Sequence, residues 1–591
     1  MTAAKFGPRL NSQGGVTFRL WAPAAKRVDL VLADLHPMRA QPQGWFETTI
    51  PEAGPGTRYR LRIDGDLIVP DPASRFQPED VHGPSEVVDP QYAWRAPQWR
   101  GRPWPQAAIL ELHVGAFTPA GTFRAAIEKL DHLADTGVTA IELMPVADFP
   151  GRWNWGYDGV LPFAPDSAYG RPEDLRALID AAHQRGLMVF LDVVYNHFGP
   201  EGNYLGHYAP AFFTNAHDTP WGKAIDYNVP QVRRFVIENA LAWLRDYRFD
   251  GLRLDAVHAI VEPGEPPILV ELSRAVGAFA AETGRSIHLM LENDDNRASL
   301  LDPRTDPPRG KYRAQWNDDY HHAWHVLLTG EQAGYYRDYR HAPGAQLARI
   351  LSSGFAYQGE PSAHRNGARR GEPSAELPPA AFISFLQNHD QIGNRPLGER
   401  LAVLASAPAI EAALQIMLLA PMPPMLFMGE EWGAVQPFPF FCDFRGELAD
   451  AVRRGRKAEF ATAYSDLAGR ALPDPIAEGT FRSAVLDWSA PDRSPHQERL
   501  ALVRKLLAMR REHVTPRLQN LERNDAHAEW RDGVILAHWR LGDGSRLALV
   551  ANLGDEPRSR PPEAAHGRAI WGGAPPPELP PWSVFWSIGD R

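Results

Sequence analysis

A single cysteine, Cys442, stands in a chain of 591 residues. That scarcity excludes an intrachain disulfide and any zinc or iron–sulfur site needing several thiolates. Basic residues are in deficit as well: 62 Lys and Arg against 72 Asp and Glu leave a net charge of −10. Phosphate backbones are gripped by clustered cations, so no nucleic-acid partner is expected. No apolar run reaches the roughly 18 residues that a membrane-spanning helix needs, and no membrane partner is expected. The opening stretch MTAAKFGPRLNSQGG has no apolar centre that could act as a signal peptide, which makes a cytoplasmic location the expectation. Aromatics are plentiful: 26 Phe, 16 Tyr and 18 Trp supply enough surface to bury that global disorder is excluded. With 55 prolines they suit a protein that binds a ligand in stiff, aromatic loops. Composition alone fits a proline-rich protein with an aromatic core equally well.

Residues 1–95 read as short strands. Tyr59, Leu61 and Ile63 alternate with Arg58, Arg60 and Arg62, the period of a half-buried strand. This predicts an N-terminal, immunoglobulin-like β-sandwich, then a linker over 96–107. From residue 108 the rhythm becomes strand, loop, helix. Apolar runs at 108–117, 139–146, 187–197, 251–257, 287–293, 312–316, 381–387 and 422–428 alternate with helical stretches at 123–136, 172–185, 232–247, 267–282, 408–419 and 499–513. Near-continuous apolar strands between amphipathic helices mean a parallel sheet covered on its faces. Eight of them predict an α/β fold, a closed (β/α)₈ TIM barrel spanning 108–515. A doubly wound sheet would need less chain and a Gly-rich turn after its first strand, where this sequence has Thr118-Pro119-Ala120-Gly121. Two long excursions, near 337–379 and 429–490, are of a length that is functional or disordered. Residues 516–591 return to short strands and predict a small C-terminal β-domain.

In such barrels the chemistry sits at the C-terminal ends of the strands. Those ends carry Asp255, Glu292 and Asp390, with Arg253 and several histidines. Arg253 and Asp255 are two apart and share a face, so the guanidinium keeps that carboxylate ionised, as a nucleophile requires. Glu292 follows Met290 and Leu291 and would face two anions; desolvation and like charge both raise its pKa, which suits a proton donor. Neighbouring strand ends would bring the first two acids to about 5–5.5 Å, the spacing of a retaining glycosidase. Polar strand ends also simply cap barrels, but three acids with Arg and His at four ends form a stronger signal.

The segments DVVYNH, GLRLDAVH, LEND and QNHD resemble, in order and position, the four signature segments of the α-amylase superfamily, glycoside hydrolase family 13. The resemblance implies Asp255 as nucleophile, Glu292 as acid/base and Asp390 as transition-state stabiliser, with His197, Arg253 and His389 holding the sugar at the cleavage point. WAPAAKRVDLVL resembles the N-terminal module of branching and debranching relatives. A narrower resemblance, to the maltooligosyltrehalose trehalohydrolase family, is carried by residues 113–123, 144–160, 196–205, 385–395 and 442–456. It implies hydrolysis of the α-1,4 bond next to the terminal trehalose of maltooligosyltrehalose; separately, no cofactor and a monomer are expected. Two rivals stay open: a glucan branching enzyme, whose last segment usually reads HDE where this chain has His389-Asp390-Gln391, and an inactive glucan-binding scaffold, against which the three carboxylates speak.

Further sugar contacts are expected from His258; from Trp155, Tyr157 and Asp158 in the loop after strand 2; from Asp318, Asp319, Tyr320, His321 and His322 after strand 6; and from Gln391, Asn394 and Arg395 after strand 7. Aromatic faces stack on sugar rings, and the polar groups meet hydroxyls. His321 and His325 have the spacing of a metal pair, but no third ligand is evident, so no metal is expected. The basic residues of 365–370 read as a solvated loop, and Glu430-Glu431-Trp432 as either pocket floor or sugar contact.

Overall fold

Eight parallel strands close on themselves in sequence order: β1 (Ile109–Leu112), β2 (Ala140–Leu143), β3 (Met188–Val193), β4 (Gly251–Leu254), β5 (His288–Leu291), β6 (Ala314–Trp316), β7 (Phe382–Phe385) and β8 (Pro424–Phe427). This computed structural model describes residues 6–219, 222–261, 264, 266–302, 312–463, 472–521, 523–563 and 567–589. The ring is completed by β8 pairing with β1, Ile109 opposite Met425. Alternation along each strand divides the apolar residues between two cores. Met188, Phe190, Met290, Trp316, Phe385 and Met425 fill the lumen, whereas Leu110, Ile141, Val189, Leu252 and Leu289 face the helices.

The strands are shorter than the apolar runs that announce them. The run over 187–197 yields a strand that stops at Val193, leaving Asn196 and His197 to the loop at the barrel mouth. The expected helix over 123–136 is broken into Phe123–Ile127 and Leu130–Thr136. Thr122 caps the first piece by accepting the Ala125 N–H, and Gly137 ends the second in the left-handed region at φ 100°. The other expected helices form as Pro172–Gln184, Pro230–Asp246, Ile268–Thr283, Ala407–Leu419 and His496–Met509.

Two antiparallel sheets precede the barrel. One contains Val16–Trp21 and Trp45–Ile50, the other Val28–Val31 and Arg58–Ile63. They bury Phe18, Leu20, Leu30, Tyr59 and Leu61. After the barrel, a five-stranded antiparallel sheet runs from Ala526–Arg531 to Ser583–Gly589. Two buried tryptophans tie it to the preceding domain: Trp539 donates its indole N–H to the Leu351 carbonyl (2.9 Å) and Trp586 to that of Gln415 in the helix Ala407–Leu419 (3.2 Å).

Both excursions carry secondary structure of their own. The first contains the helix Pro343–Ser353 and a short pair, Glu360–Pro361 with Arg369–Arg370. The second contains the helices Gly446–Ala463 and Glu478–Ser483; its residues 464–471 lie outside the described ones. The reading of 365–370 as a solvated loop holds for 366–369, Arg369 included, but not for Arg370 and only in part for Arg365. Arg370 is buried and paired with Asp319 at 2.7 Å, and Arg365 reaches Asp295 at 2.7 Å. A carboxylate already buried beneath the loop draws the guanidinium inward.

Candidate active site

At the C-terminal mouth of the barrel lies a cavity of about 420 Å³. Its organising group is Arg253, the third residue of β4, which alternation turns into the lumen and which is almost fully buried. Its Nη1 donates to Asp192 Oδ2 and to Asp255 Oδ1, both at 2.7 Å, and its Nη2 lies 4.0 Å from Glu292 Oε2. The guanidinium lies over the Trp316 ring, 4.1 Å from its centroid. One cation thus underlies three carboxyl groups from β3, β4 and β5.

Asp255 stands one residue beyond β4. Burial pushes its carboxyl up, but Arg253, the Asn196 amide (2.9 Å) and His197 together hold it below the usual carboxylate range. The chain then turns sharply. Ala256 takes the left-handed conformation, φ 40°, unusual for a residue with a side chain. This aims its N–H at Glu292 Oε2, 2.5 Å away. The Glu292 carboxyl is raised well above its ordinary value, chiefly by burial; Arg253 opposes this, and Asp255, Asp318 and Asp390 add to it. Asp390 lies in the short helix His389–Gly393 after β7. Asn388 caps that helix, accepting the Asp390 N–H at 2.9 Å, and the Asn394 amide donates to Asp390 Oδ1 at 2.7 Å.

The floor is held by buried pairs. His389 shares a 2.5 Å hydrogen bond with Glu111, the third residue of β1, which raises the imidazole pKa against the opposing effect of burial. Tyr157 stacks on His389, centroids 5.1 Å apart, and donates its hydroxyl to Asp192 at 2.6 Å. His197 reaches the Tyr157 carbonyl at 3.0 Å, and burial lowers its pKa. Trp155 stacks on Phe438 and donates to the Pro439 carbonyl.

The cavity is lined by Trp155, Tyr157, His197, Arg253, Asp255, His258, Glu292, Asp318, His322, His389, Asp390, Gln391 and Asn394, all expected from the sequence. Five other expected contacts lie outside it. Asp319 is fully buried and accepts from Arg370, Tyr339 and the Ala356 and Tyr357 amides. His321 is held by the Leu386 carbonyl and the Tyr336 hydroxyl, and Tyr320 is buried against Trp324. The reason is helical rotation. Within Asp318–Thr329, Asp318 and His322 are four apart and share the face toward the cavity, whereas 319–321 point elsewhere. Arg395 is forked onto Glu331 at 2.6 and 2.9 Å, and Asp158 is held by Asn154 beneath its loop. Glu430 is buried beneath β8, where it accepts the Phe427 N–H at 3.0 Å, so it binds backbone and lies outside the cavity lining.

Sequence reasoning missed Trp316, Asp294, Tyr335, His364, Phe440 and Arg456 on the cavity wall. Trp316 was findable as the lumen-facing end of β6. Tyr335 and His364 lie near or within the first excursion and Phe440 and Arg456 within the second, so no spacing within the barrel strands announces them.

The α-amylase catalytic domain matches residues 75–211, carbohydrate-binding module 48 (the isoamylase N-terminal domain) matches 5–90, and a domain of unknown function, DUF3459, matches 523–586. The malto-oligosyltrehalose trehalohydrolase of Deinococcus radiodurans is 44% identical over 92% of this chain and 88% of its own. The crystal structure of a candidate α-amylase from Salmonella typhimurium is 45% identical with a TM-score of 0.94, covering 100% of both chains. A 1,4-alpha-glucan branching enzyme of Mycobacterium tuberculosis matches at 35% identity over only 42% of this chain and 37% of its own.

Proposed function

The chain belongs to the malto-oligosyltrehalose trehalohydrolases, glycosidases of the α-amylase family, and we propose that it frees trehalose from malto-oligosyltrehalose by a retaining double displacement. Neutral Glu292 gives its proton to the glycosidic oxygen while ionised Asp255 attacks the anomeric carbon. The bond to the trehalose unit breaks as the bond to Asp255 forms. Glu292, now a carboxylate, takes a proton from water, whose oxygen displaces Asp255 and releases the maltooligosaccharide. Two inversions leave the configuration unchanged. Asp390 faces the positive charge that builds on the sugar ring, and His197, Arg253 and His389 hold that ring in place.

The observation that carries this reading is the placement of two carboxyls on one cavity beside one guanidinium: Asp255 in direct contact with Arg253 at 2.7 Å, which favours its anion, and Glu292 buried and 4.0 Å away, which favours its neutral form. The Ala256 N–H on one Glu292 oxygen leaves the other free to carry the proton. The reading also has the enzyme acting as a cytoplasmic monomer without a cofactor. Incubation with maltotriosyltrehalose should yield trehalose and maltotriose in equal amounts. New α-1,6 branches from amylose without free trehalose would make it a branching enzyme, and bound but uncleaved glucan would make it a scaffold.

A further inference from the structure

Asp390 differs from the other two carboxylates of the site. Asp255 rests directly on Arg253, and Glu292 is held by the Ala256 N–H. Asp390 stands exposed at the mouth, and its side chain is met by the Asn394 amide at 2.7 Å. That amide is engaged from behind. Arg456, from the helix Gly446–Ala463 of the second excursion, donates Nη1 to Asn394 Oδ1 at 3.0 Å and Nη2 to the Gly393 carbonyl at 2.7 Å. Its guanidinium lies over Phe440 and Phe460, 5.0 and 4.8 Å from their centroids, and pairs with Glu459 at 3.0 Å. The Arg456 side chain is 16% exposed, so its position is set by packing.

We propose that Arg456 is a positioning residue for Asp390, acting through the Asn394 amide. The inference rests on the reading of Asp390 as the stabilising carboxylate. A carboxamide has an acceptor end and a donor end, exchanged by a half-turn about its last bond. Only the donor end is compatible with a carboxylate; the other sets oxygen against oxygen. Asn394, one residue beyond a single helical turn, has no fixed orientation of its own. Arg456 fixes it, because a charged donor on Oδ1 leaves the NH₂ group directed at Asp390. The arrangement has a second consequence. A guanidinium placed directly on Asp390 would oppose the positive charge developing on the substrate; one amide away, it orients the carboxylate without sitting against it. Neighbouring Arg395 cannot substitute, since it is committed to Glu331.

The test is a double-mutant cycle in the full chain on maltotriosyltrehalose, with Arg456→Met, Asn394→Ala and the two combined. Arg456→Met should lower kcat about tenfold with KM within about twofold, because misplacing a reacting group costs turnover rather than affinity. The double variant should be no slower than Asn394→Ala alone, and Arg456→Lys should recover part of the loss. A rise in KM with unchanged kcat, which a direct sugar contact would give, overturns the proposal. So do multiplicative effects in the double variant. Asn394→Asp leaves Arg456 in place and reverses the polarity toward Asp390, so it keeps the test alive if Arg456→Met does not fold; wild-type kcat in Asn394→Asp also overturns the proposal. Asp390→Ala separates the two layers. Near wild-type kcat there removes the role of Asp390 itself, whereas a large loss combined with multiplicative Arg456 and Asn394 effects removes only the link through Arg456.

Discussion

The two ends of one barrel solve burial in opposite ways. Toward the N-terminal ends of the strands the lumen is mainly apolar: Ile109, Ala140, Met188, Met290 and Ala314 pack with negligible exposure, and the buried His288 satisfies itself on the Arg102 carbonyl at 2.8 Å. Toward the mouth the same inward positions hold Glu111, Glu142, Asp192 and Arg253, equally buried. The strands place these charges side by side, Glu111 opposite Glu142 and Asp192 opposite Arg253. An apolar layer satisfies itself by close packing, whereas buried charge must find partners or be neutralised. Both outcomes occur here. Asp192 and Arg253 pair, while Glu142, with neither carboxyl oxygen hydrogen-bonded, has its pKa driven well above the ordinary range by burial and by Glu111 and Asp192. Burying polarity at this depth carries a cost to stability that the apolar end does not bear.

Substitutions can break that contrast. The largest effect is expected from the reacting pair. Asp255→Asn should cut kcat by about 10⁴ or more, and Glu292→Gln by about 10²–10⁴, with trehalose release as the readout. The pH profile of kcat/KM carries the same signature. Asp255, lowered, stays ionised as pH falls until its depressed pKa is reached; Glu292, raised, stays protonated as pH rises until its elevated pKa is passed. Activity should therefore be bell-shaped, with Asp255 setting the acid limb and Glu292 the basic limb. A wild-type profile with no basic limb would remove Glu292 as the acid.

Next comes Arg253→Met, which leaves Asp192 and Asp255 without their cation. It should lower unfolding free energy by about 3–5 kcal/mol in urea titration and abolish turnover as well. A stability change within about 0.5 kcal/mol would mean that these carboxylates do not depend on the ion pair. The smallest effect on function should come from the other end. Met188→Ala should cost about 2–5 kcal/mol through the cavity it leaves, with kcat within about threefold below the unfolding transition. A tenfold loss of kcat there would show that the two ends are not separable.

Much of the fold was legible because its signals are local. Continuous apolar runs mark strands covered on both sides, and Asp255, Glu292 and Asp390 are recognisable because barrel closure brings every strand end to one rim. The cluster Asp318-Asp319-Tyr320-His321-His322 shows where such reading stops. Five polar or aromatic residues in a row looked like one site, but helical rotation gives two to the cavity and turns the rest inward, where Asp319 accepts from Tyr339 and Arg370, His321 meets the Leu386 carbonyl and Tyr320 packs on Trp324. The excursions hid more. Their length marked them as functional or disordered without saying which residues would matter, and His364, Phe440 and Arg456 acquire their places only when the chain folds back over the mouth.

Periodicity and residue chemistry alone set the alternation of strands and helices, the barrel they close into, and the three acids that face one another at its rim. Which neighbours tune those acids was decided by the folded chain: Glu111 beneath His389, a left-handed Ala256 beside Glu292, Arg456 behind Asn394. The division has a physical cause. Secondary structure answers to interactions a few residues apart, whereas the ionisation and orientation of a buried side chain answer to every charge and dipole within a few ångströms, however distant along the sequence.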